Sequence, residues 1–190
     1  MSDVKSVLFV GVGGQGTILA SKILTMGLIA NGYDVKMSEV HGMSQRGGSV
    51  STQVRFGKEV HSPIIGEGTA DILVSFEEME AARYAKFLKK DGKIVVNTYR
   101  IPSMPILSGK VTYPENIIET LKSKVPTLAL DATALAVQVG NPKCANVVLL
   151  GALVKALGLT SINWEETIAA IVKPKTVEMN IKAFKAGFEA

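Results

Sequence analysis

The stretch Val7–Leu24, "VLFVGVGGQGTILASKIL", decides the fold. It opens with a short apolar, β-rich run that ends in glycine, the pattern of a buried strand. Helical spacing takes over from about Gly14. Leu19, Ile23, Met26 and Ala30 share one face, Ala20, Leu24 and Gly27 lie beside them, and Asn31-Gly32 supplies the stop. "DVKMSEV" (Asp34–Val40) then returns as a second strand. The chain therefore begins β-α-β, a unit whose crossover favours parallel strands. Between strand and helix stands Gly11-x-Gly13-x-x-Gly16, with Gly14 and Gln15 inside it. This is the glycine spacing of a dinucleotide-binding turn, in the strand–turn–helix context that such a turn requires. Gly11 permits the tight turn, Gly13 removes the Cβ that would block a phosphate, and Gly16 lets helix and strand approach. The helix N-terminal amides and dipole then face a ligand. Two readings stand: a bound phosphate-bearing ligand, or glycines that serve strand–helix packing alone.

Outward from this unit, "SVSTQVRF" alternates and is followed by Gly57-Lys58 and "EVHSPII", which predicts a hairpin or antiparallel excursion near 49–65. "ADILVSF" reads as a buried strand. "EEMEAARYAKFLKK" reads as one helix, acids in its first turn and lysines in its last. Asp91-Gly92 ends it, and "KIVVN" is the next strand. Pro114 opens a helix over "PENIIETLKSK", and "TLALDA" is strand-like. From Asn141 the chain is helical: Asn141-Pro142 is a cap with a first-turn proline, and Gly158 closes that helix. Asn163 with Glu166 forms a capping pair, and a last helix runs from near Thr176 towards Phe188. The expectation is a single domain over 1–190. It is an α/β fold, Rossmann-like and doubly wound, with a mostly parallel sheet and a helical C-terminal part.

Composition narrows the function. At 47% hydrophobic and 20% charged residues, 190 residues suffice for one well-packed core and argue against disorder. The net charge of +4 is scattered and only 6% of residues are aromatic, which argues against nucleic-acid binding. The longest apolar run, "VVLLGALVKALGL", is broken by Lys155 and too short for a bilayer. The N-terminus runs straight into a strand without the pattern of a signal peptide. One cysteine, Cys144, excludes an intramolecular disulfide and a chain-encoded iron–sulfur cluster. A soluble, cytoplasmic, reduced setting is expected, with no membrane and no nucleic-acid partner.

The most unusual segment is "HGMSQRGGSV", His41–Val50, where an ordinary doubly wound protein turns into its second crossover helix. Glu39, just before it, stands where a dinucleotide-binding fold keeps the acid that takes ribose hydroxyls. The loop occupies the space a ribose turn would need, which argues against ordinary NAD binding. His41, Gly42, Ser44, Gln45, Arg46, Gly47 and Gly48 are expected to face the same carboxyl-edge crevice as Gly11–Gly16. Arg46 suits a phosphate or carboxylate, and Gly47-Gly48 suits an anion-binding nest of bare amides. Equally, Gly-Gly suits close approach of another backbone, with Arg46 anchoring a protein interface.

No catalytic constellation accompanies this crevice. His41 and His61 lack a metal-ligand spacing, so no metal site is expected. Ser44, Ser49 and Ser51 have no evident base, and Cys144 reads as a buried inert thiol. Glu77, Glu78 and Glu80 read as the first turn of a helix.

"GVGGQGTILASKIL" (Gly11–Leu24), "SEVHGMSQRGGSVSTQVRFG" (Ser38–Gly57), "ADILVSFE" (Ala70–Glu77) and "MNIKAFKAG" (Met179–Gly187) together resemble one family. It is the small, beta- or gamma-type subunit of 2-oxoacid:ferredoxin oxidoreductases, and the form of the 41–50 loop is most similar to that of indolepyruvate ferredoxin oxidoreductases. The resemblance runs from about residue 4 to 188. It implies a complex that converts an aryl 2-oxoacid, CoA and oxidised ferredoxin into an acyl-CoA, CO₂ and reduced ferredoxin. It further implies that thiamine diphosphate, Mg²⁺ and 4Fe–4S clusters lie on a large alpha subunit, which ferredoxin meets. The sequence agrees, having neither a Gly-Asp-Gly run with its distant Asn nor cluster cysteines. On this reading the chain holds no cofactor alone, contributes no catalytic residue and is inactive in isolation. Gly11, Gly13, Gly14, Gln15, Gly16 and Glu39 then become a place for the CoA nucleotide or a partner loop. The alternatives are a free-standing NAD(P)-dependent oxidoreductase and a nucleotide-binding or interaction module. The first needs a Tyr-Lys or His-Asp type constellation that is not visible.

Overall fold

The glycine-terminated apolar run forms strand β1 (Lys5–Val12), and the helical spacing after it forms α1 (Thr17–Ala30). The computed structural model describes residues 4–42 and 46–190. Strands β2 (Asp34–His41), β3 (Ser49–Gly57) and β4 (Ala70–Ser75) follow, then α2 (Glu78–Tyr84) and β5 (Leu88–Asn97). A short α3 (Met104–Leu107), α4 (Ile117–Lys124), β6 (Thr127–Leu130) and α5 (Ala132–Val139) lead into three C-terminal helices. These are α6 (Ala145–Leu157), α7 (Trp164–Ile171) and α8 (Val177–Glu189).

Among the described residues six strands form one sheet in the order β2-β3-β1-β4-β5-β6. The pairs β1–β4, β4–β5 and β5–β6 are parallel, whereas β3 runs antiparallel to both β1 and β2. Strands β1 and β2 are therefore parallel, as the crossover predicts, but β3 stands between them. The antiparallel excursion is thus β3 itself, and residues 58–69 form no strand. With both edges of β3 already paired, no hydrogen-bonding edge remains for "EVHSPII". That segment lies across the sheet instead, where the Ile65 amide donates to Gln53 Oε1 (2.6 Å) and Arg55 Nη1 donates to the Ser62 carbonyl (2.9 Å).

Two further expectations are corrected. The helix expected over "EEMEAARYAKFLKK" stops at Tyr84 and passes through a 3₁₀ turn at Ala85–Phe87, and Leu88–Lys90 already belong to β5. Leu88 is buried opposite Ala70, and Lys89 reaches Asp71 (2.8 Å), so tertiary pairing overrides helix propensity there. Asp91-Gly92 is accordingly an irregularity inside a strand. A Cβ at Gly92 would lie 2.6 Å from Leu88 Cγ and 3.1 Å from the Ala70 carbonyl oxygen. Helix α5 was not anticipated after "TLALDA", although its signals are present: Asp131 accepts from the Ala134 amide (2.8 Å), and Gly140 ends the helix at φ 111°.

The sheet has an apolar cluster on each face. The larger one packs α1, α5 and the C-terminal helices against Val7, Phe9, Val74 and Val95. Its centre is α6, which is buried nearly all round, as its unbroken apolar sequence requires. Glycines set how closely the helices meet. A Cβ at Gly151 would lie 2.1 Å from the Phe184 carbonyl oxygen, and one at Gly187 1.8 Å from that of Val148. Among the described residues no helix is long and apolar enough to cross a membrane. Because the α6–α8 contact is backbone against backbone, a methyl group at Gly187 has nowhere to go. Gly187→Ala is expected to lower stability by roughly 1–3 kcal/mol, the range for overpacked cores, in urea denaturation.

Candidate functional site

The parallel arrangement of β1 and β2 puts their carboxyl ends on one edge of the sheet, and antiparallel β3 begins on that same edge. Gly11 and His41 both pair with Val50, and Val12 pairs with Ser49. The loop after β1 and the connection from β2 to β3 therefore meet across β3. They are joined directly: the Gly13 amide donates to the Gly48 carbonyl (2.8 Å), and the Gly47 amide donates back to the Gly13 carbonyl (3.3 Å). Gly47 takes a left-handed φ of 76° to do so. Its amide is thus turned towards Gly13, which removes it from any anion-binding nest.

The glycine loop is stiffened from inside. Gln15 Oε1 accepts the Val12 amide (2.7 Å) and its Nε2 donates to the Phe76 carbonyl (2.9 Å), so this side chain ties the ends of β1 and β4 together. A Cβ at Gly11 would lie 2.8 Å from Gln15 Oε1 and 2.9 Å from Phe76 Cβ. Gly11 is thus required by the Gln15 bridge more than by a turn. Gly16 has φ 81° and accepts from Asn146 Nδ2 (3.2 Å), which a Cβ at Gly16 would approach to 2.5 Å. Asn146, buried at the start of α6, holds the loop from the side opposite β3.

Helix α1 starts at this loop with no side-chain cap and no acid in its first turn. Its first-turn amides are orphan donors with a positive dipole end, and they border the crevice. The crevice is a cavity of about 370 Å³ between Gly13, Gly14, Gly16 and Thr17 on one wall and Glu39 and His41 on the other. Glu39, the acid expected to take ribose hydroxyls, lines this crevice from β2, which β3 separates from β1. Ile18 and Val40, also in the lining, are about half exposed. Arg46 directly precedes Gly47 in the chain, and Gly42 follows His41, whose Nδ1 lies 3.4 Å from the Gly42 carbonyl. Ser44 and Gln45 lie outside the described residues. A second cavity of about 520 Å³ opens on the other side of the glycine loop, towards Asn97, Tyr99 and Lys143. It sits where the chain path reverses, between β1, which leads through α1 to β2, and β4, which leads on to β5.

Residues that the sequence pattern left aside support this edge. Glu77, Glu78 and Glu80 do begin α2, and Glu77 caps it by accepting the Glu80 amide (2.9 Å). All three are nonetheless buried. Glu77 also accepts the Tyr113 hydroxyl and the Ile101 amide (3.1 Å). Burial and the Glu77 carboxylate push the Tyr113 phenol up, keeping it a donor. Glu80 accepts the Ser49 hydroxyl and meets Arg83 Nε at 3.2 Å. The available signal was an acid count beyond what one helix cap needs.

Among the described residues no three His, Cys, Asp or Glu side chains form a metal-binding group. Cys144 is buried, and burial pushes its thiol up, towards the protonated form that does not bind iron. The donor set thus fits neither an iron–sulfur cluster nor the metal of a thiamine diphosphate.

Residues 6–190 match the family model for pyruvate ferredoxin/flavodoxin oxidoreductase, and the chain belongs to that family. Among its relatives, the indolepyruvate oxidoreductase subunit IorB of Pyrococcus horikoshii is 42% identical over 193 residues, spanning 97% of this chain and 95% of that protein. The IorB subunit of Thermococcus kodakarensis is 40% identical with the same coverage. A crystal structure of the keto/oxoacid ferredoxin oxidoreductase gamma subunit from Geobacter sulfurreducens superposes with a TM-score of 0.73 at 27% identity. That match spans 97% of this chain and 96% of the Geobacter one.

Burial pushes the Glu80 carboxyl above its ordinary range, against the opposing pull of the Ser49 hydroxyl and Arg83. A raised folded-state value means that the stabilising contribution is complete below the unfolded-chain value and is lost as pH rises through the folded one. In denaturant titrations across that acidic window, wild type is expected to lose stability relative to Glu80→Gln as pH rises. Parallel curves would show that Glu80 titrates as in the unfolded chain.

Proposed function

We propose that this chain is the small subunit of an indolepyruvate:ferredoxin oxidoreductase and that its glycine crevice contacts the CoA nucleotide in the assembled enzyme. Family membership and the IorB relatives support the first part. The observation that carries the second is the mutual closure of two loops, Gly13 to Gly48 and Gly47 to Gly13, beside the uncapped start of α1. The closure uses up two amides and leaves the donors of the α1 first turn bordering a nucleotide-sized cavity. An orphan helix N-terminus suits a diphosphate, and Glu39 suits a ribose hydroxyl. Arg46, next to Gly47 in the chain, is a cation of the kind suited to bidentate phosphate contact.

The decarboxylation and the removal of electrons would be supplied by thiamine diphosphate with Mg²⁺ and by 4Fe–4S clusters on a large alpha subunit, from which ferredoxin collects them. This chain's part is binding and orientation. Its loops hold the acyl acceptor in position and shield it from water, and no residue here carries the reaction. A partner loop seated in the same crevice is a second reading, favoured by the half-exposed Ile18 and Val40 in its lining.

Isothermal titration separates these readings. The assembled complex is expected to bind CoA, and Arg46→Ala to weaken that binding about tenfold, the loss of one charge-assisted contact. If Arg46→Ala instead weakens subunit association and leaves CoA binding intact, the partner-loop reading holds. Tight NAD(H) binding by the isolated chain, without CoA binding by the complex, would overturn the CoA reading of the crevice.

A further inference from the structure

Helix α2 is the point to which both halves of the carboxyl edge are fastened. Glu77 holds the segment after β5 through Ile101 and Tyr113, and Glu78 holds it through Arg100 Nε (2.7 Å). Glu80 reaches the other way, to the Ser49 hydroxyl. One acid suffices to cap α2, and Glu77 already does so. Burying two more carboxylates carries a desolvation cost that only specific contacts offset.

The Glu80 contact falls at a particular place. Ser49 is the first residue of β3 and directly follows Gly48, whose carbonyl takes the Gly13 amide. The bond from α2 therefore grips the root of the 42–48 connection, one residue from the closure that shapes the crevice. Glu80 cannot easily turn away. Its side chain is only 5% exposed, Arg83 holds its other oxygen, and the Tyr84 hydroxyl stands 3.4 Å from Ser49 Oγ.

We propose that Glu80 is a positioning residue for the glycine crevice: acting through Ser49, it sets the Gly47–Gly48 turn against Gly13. The proposal rests on the reading that this crevice contacts CoA in the assembled enzyme. Glu80 touches no ligand. It fixes where the second wall of the crevice stands, and so how well a bound nucleotide is held before any chemistry begins.

The test uses the assembled complex carrying Ser49→Ala, Ser49→Thr or Glu80→Gln. Two readouts are taken: amide hydrogen exchange at Gly13 and Gly47, and the KM for CoA beside kcat. Ser49→Ala is expected to speed exchange at both glycines and to raise the KM about tenfold, the effect of one hydrogen bond to a charged group, with kcat little changed. Glu80→Gln should act in the same direction more weakly, and Ser49→Thr, which keeps the hydroxyl, should restore both values. Unchanged exchange in Ser49→Ala would overturn the latch whatever the crevice binds. Faster exchange with an unmoved KM, while Arg46→Ala still weakens CoA binding, would overturn the positioning role and leave the crevice reading intact. If Arg46→Ala also leaves CoA binding unchanged, both fall together. Equal losses in Ser49→Thr and Ser49→Ala would mark general disruption and overturn the role as well.

Discussion

The placement of β3 between β1 and β2 is the constraint from which the rest of the carboxyl edge follows. Because β3 runs antiparallel to both neighbours, its first residues arrive where β1 and β2 end. The two glycine-rich loops are thereby brought within backbone hydrogen-bonding distance, and Gly13 and Gly47–Gly48 close on each other. A conventional dinucleotide fold places β2 beside β1 and leaves the glycine loop free to cradle a pyrophosphate. Here part of that cradle is filled by the protein's own chain. What remains open lies further along the start of α1, nearer to Glu39 and His41.

Around this closure, buried and half-buried polar side chains hold the backbone. Gln15 ties β1 to β4, Asn146 holds Gly16, and Asn97 accepts the Ala132 amide (3.0 Å) at the start of α5. Among the described residues no buried side-chain polar atom lacks a hydrogen-bond partner. Such networks are rigid because breaking any one member strands a desolvated group. The edge is therefore a preformed frame. That suits the crevice role proposed above, since its walls stand fixed before any ligand or partner arrives.

Much of this was legible in the sequence, and the failures have physical causes. The strand–glycine–helix opening, the C-terminal end of α6 at Gly158 and the extent of α8 follow from periodicity and capping residues, and the meeting of the two loops from the β-α-β topology, whereas Asn141-Pro142 opens a 3₁₀ turn ahead of α6. The partner of β3 was not legible. Alternation along "SVSTQVRF" marks a two-faced strand but does not say which edges it pairs, and the nearby "EVHSPII" was the local choice. The overlong α2 failed because Lys89 and Leu88 have good helix propensity, while an aspartate and an alanine distant in sequence supply better contacts in the sheet. At the site, Gly11 to Gly16 were identified as positions but not in all their roles. Nothing in a single sequence reveals that the Gln15 amide turns inward or that Asn146 waits across the fold. The glutamates of α2 were visible, yet a helix start explains acids so readily that their second duty was hidden.

The register of the β2–β3 ladder has one more consequence. His41 and Val50 are paired, so both ends of the connection between them are anchored by the sheet. The entropic cost of closing that loop is met largely by the ladder, and it grows only with the logarithm of loop length. The ladder thus carries the cost of bringing Gly48 to Gly13, and the frame behind the crevice is set by the sheet and not by the loop.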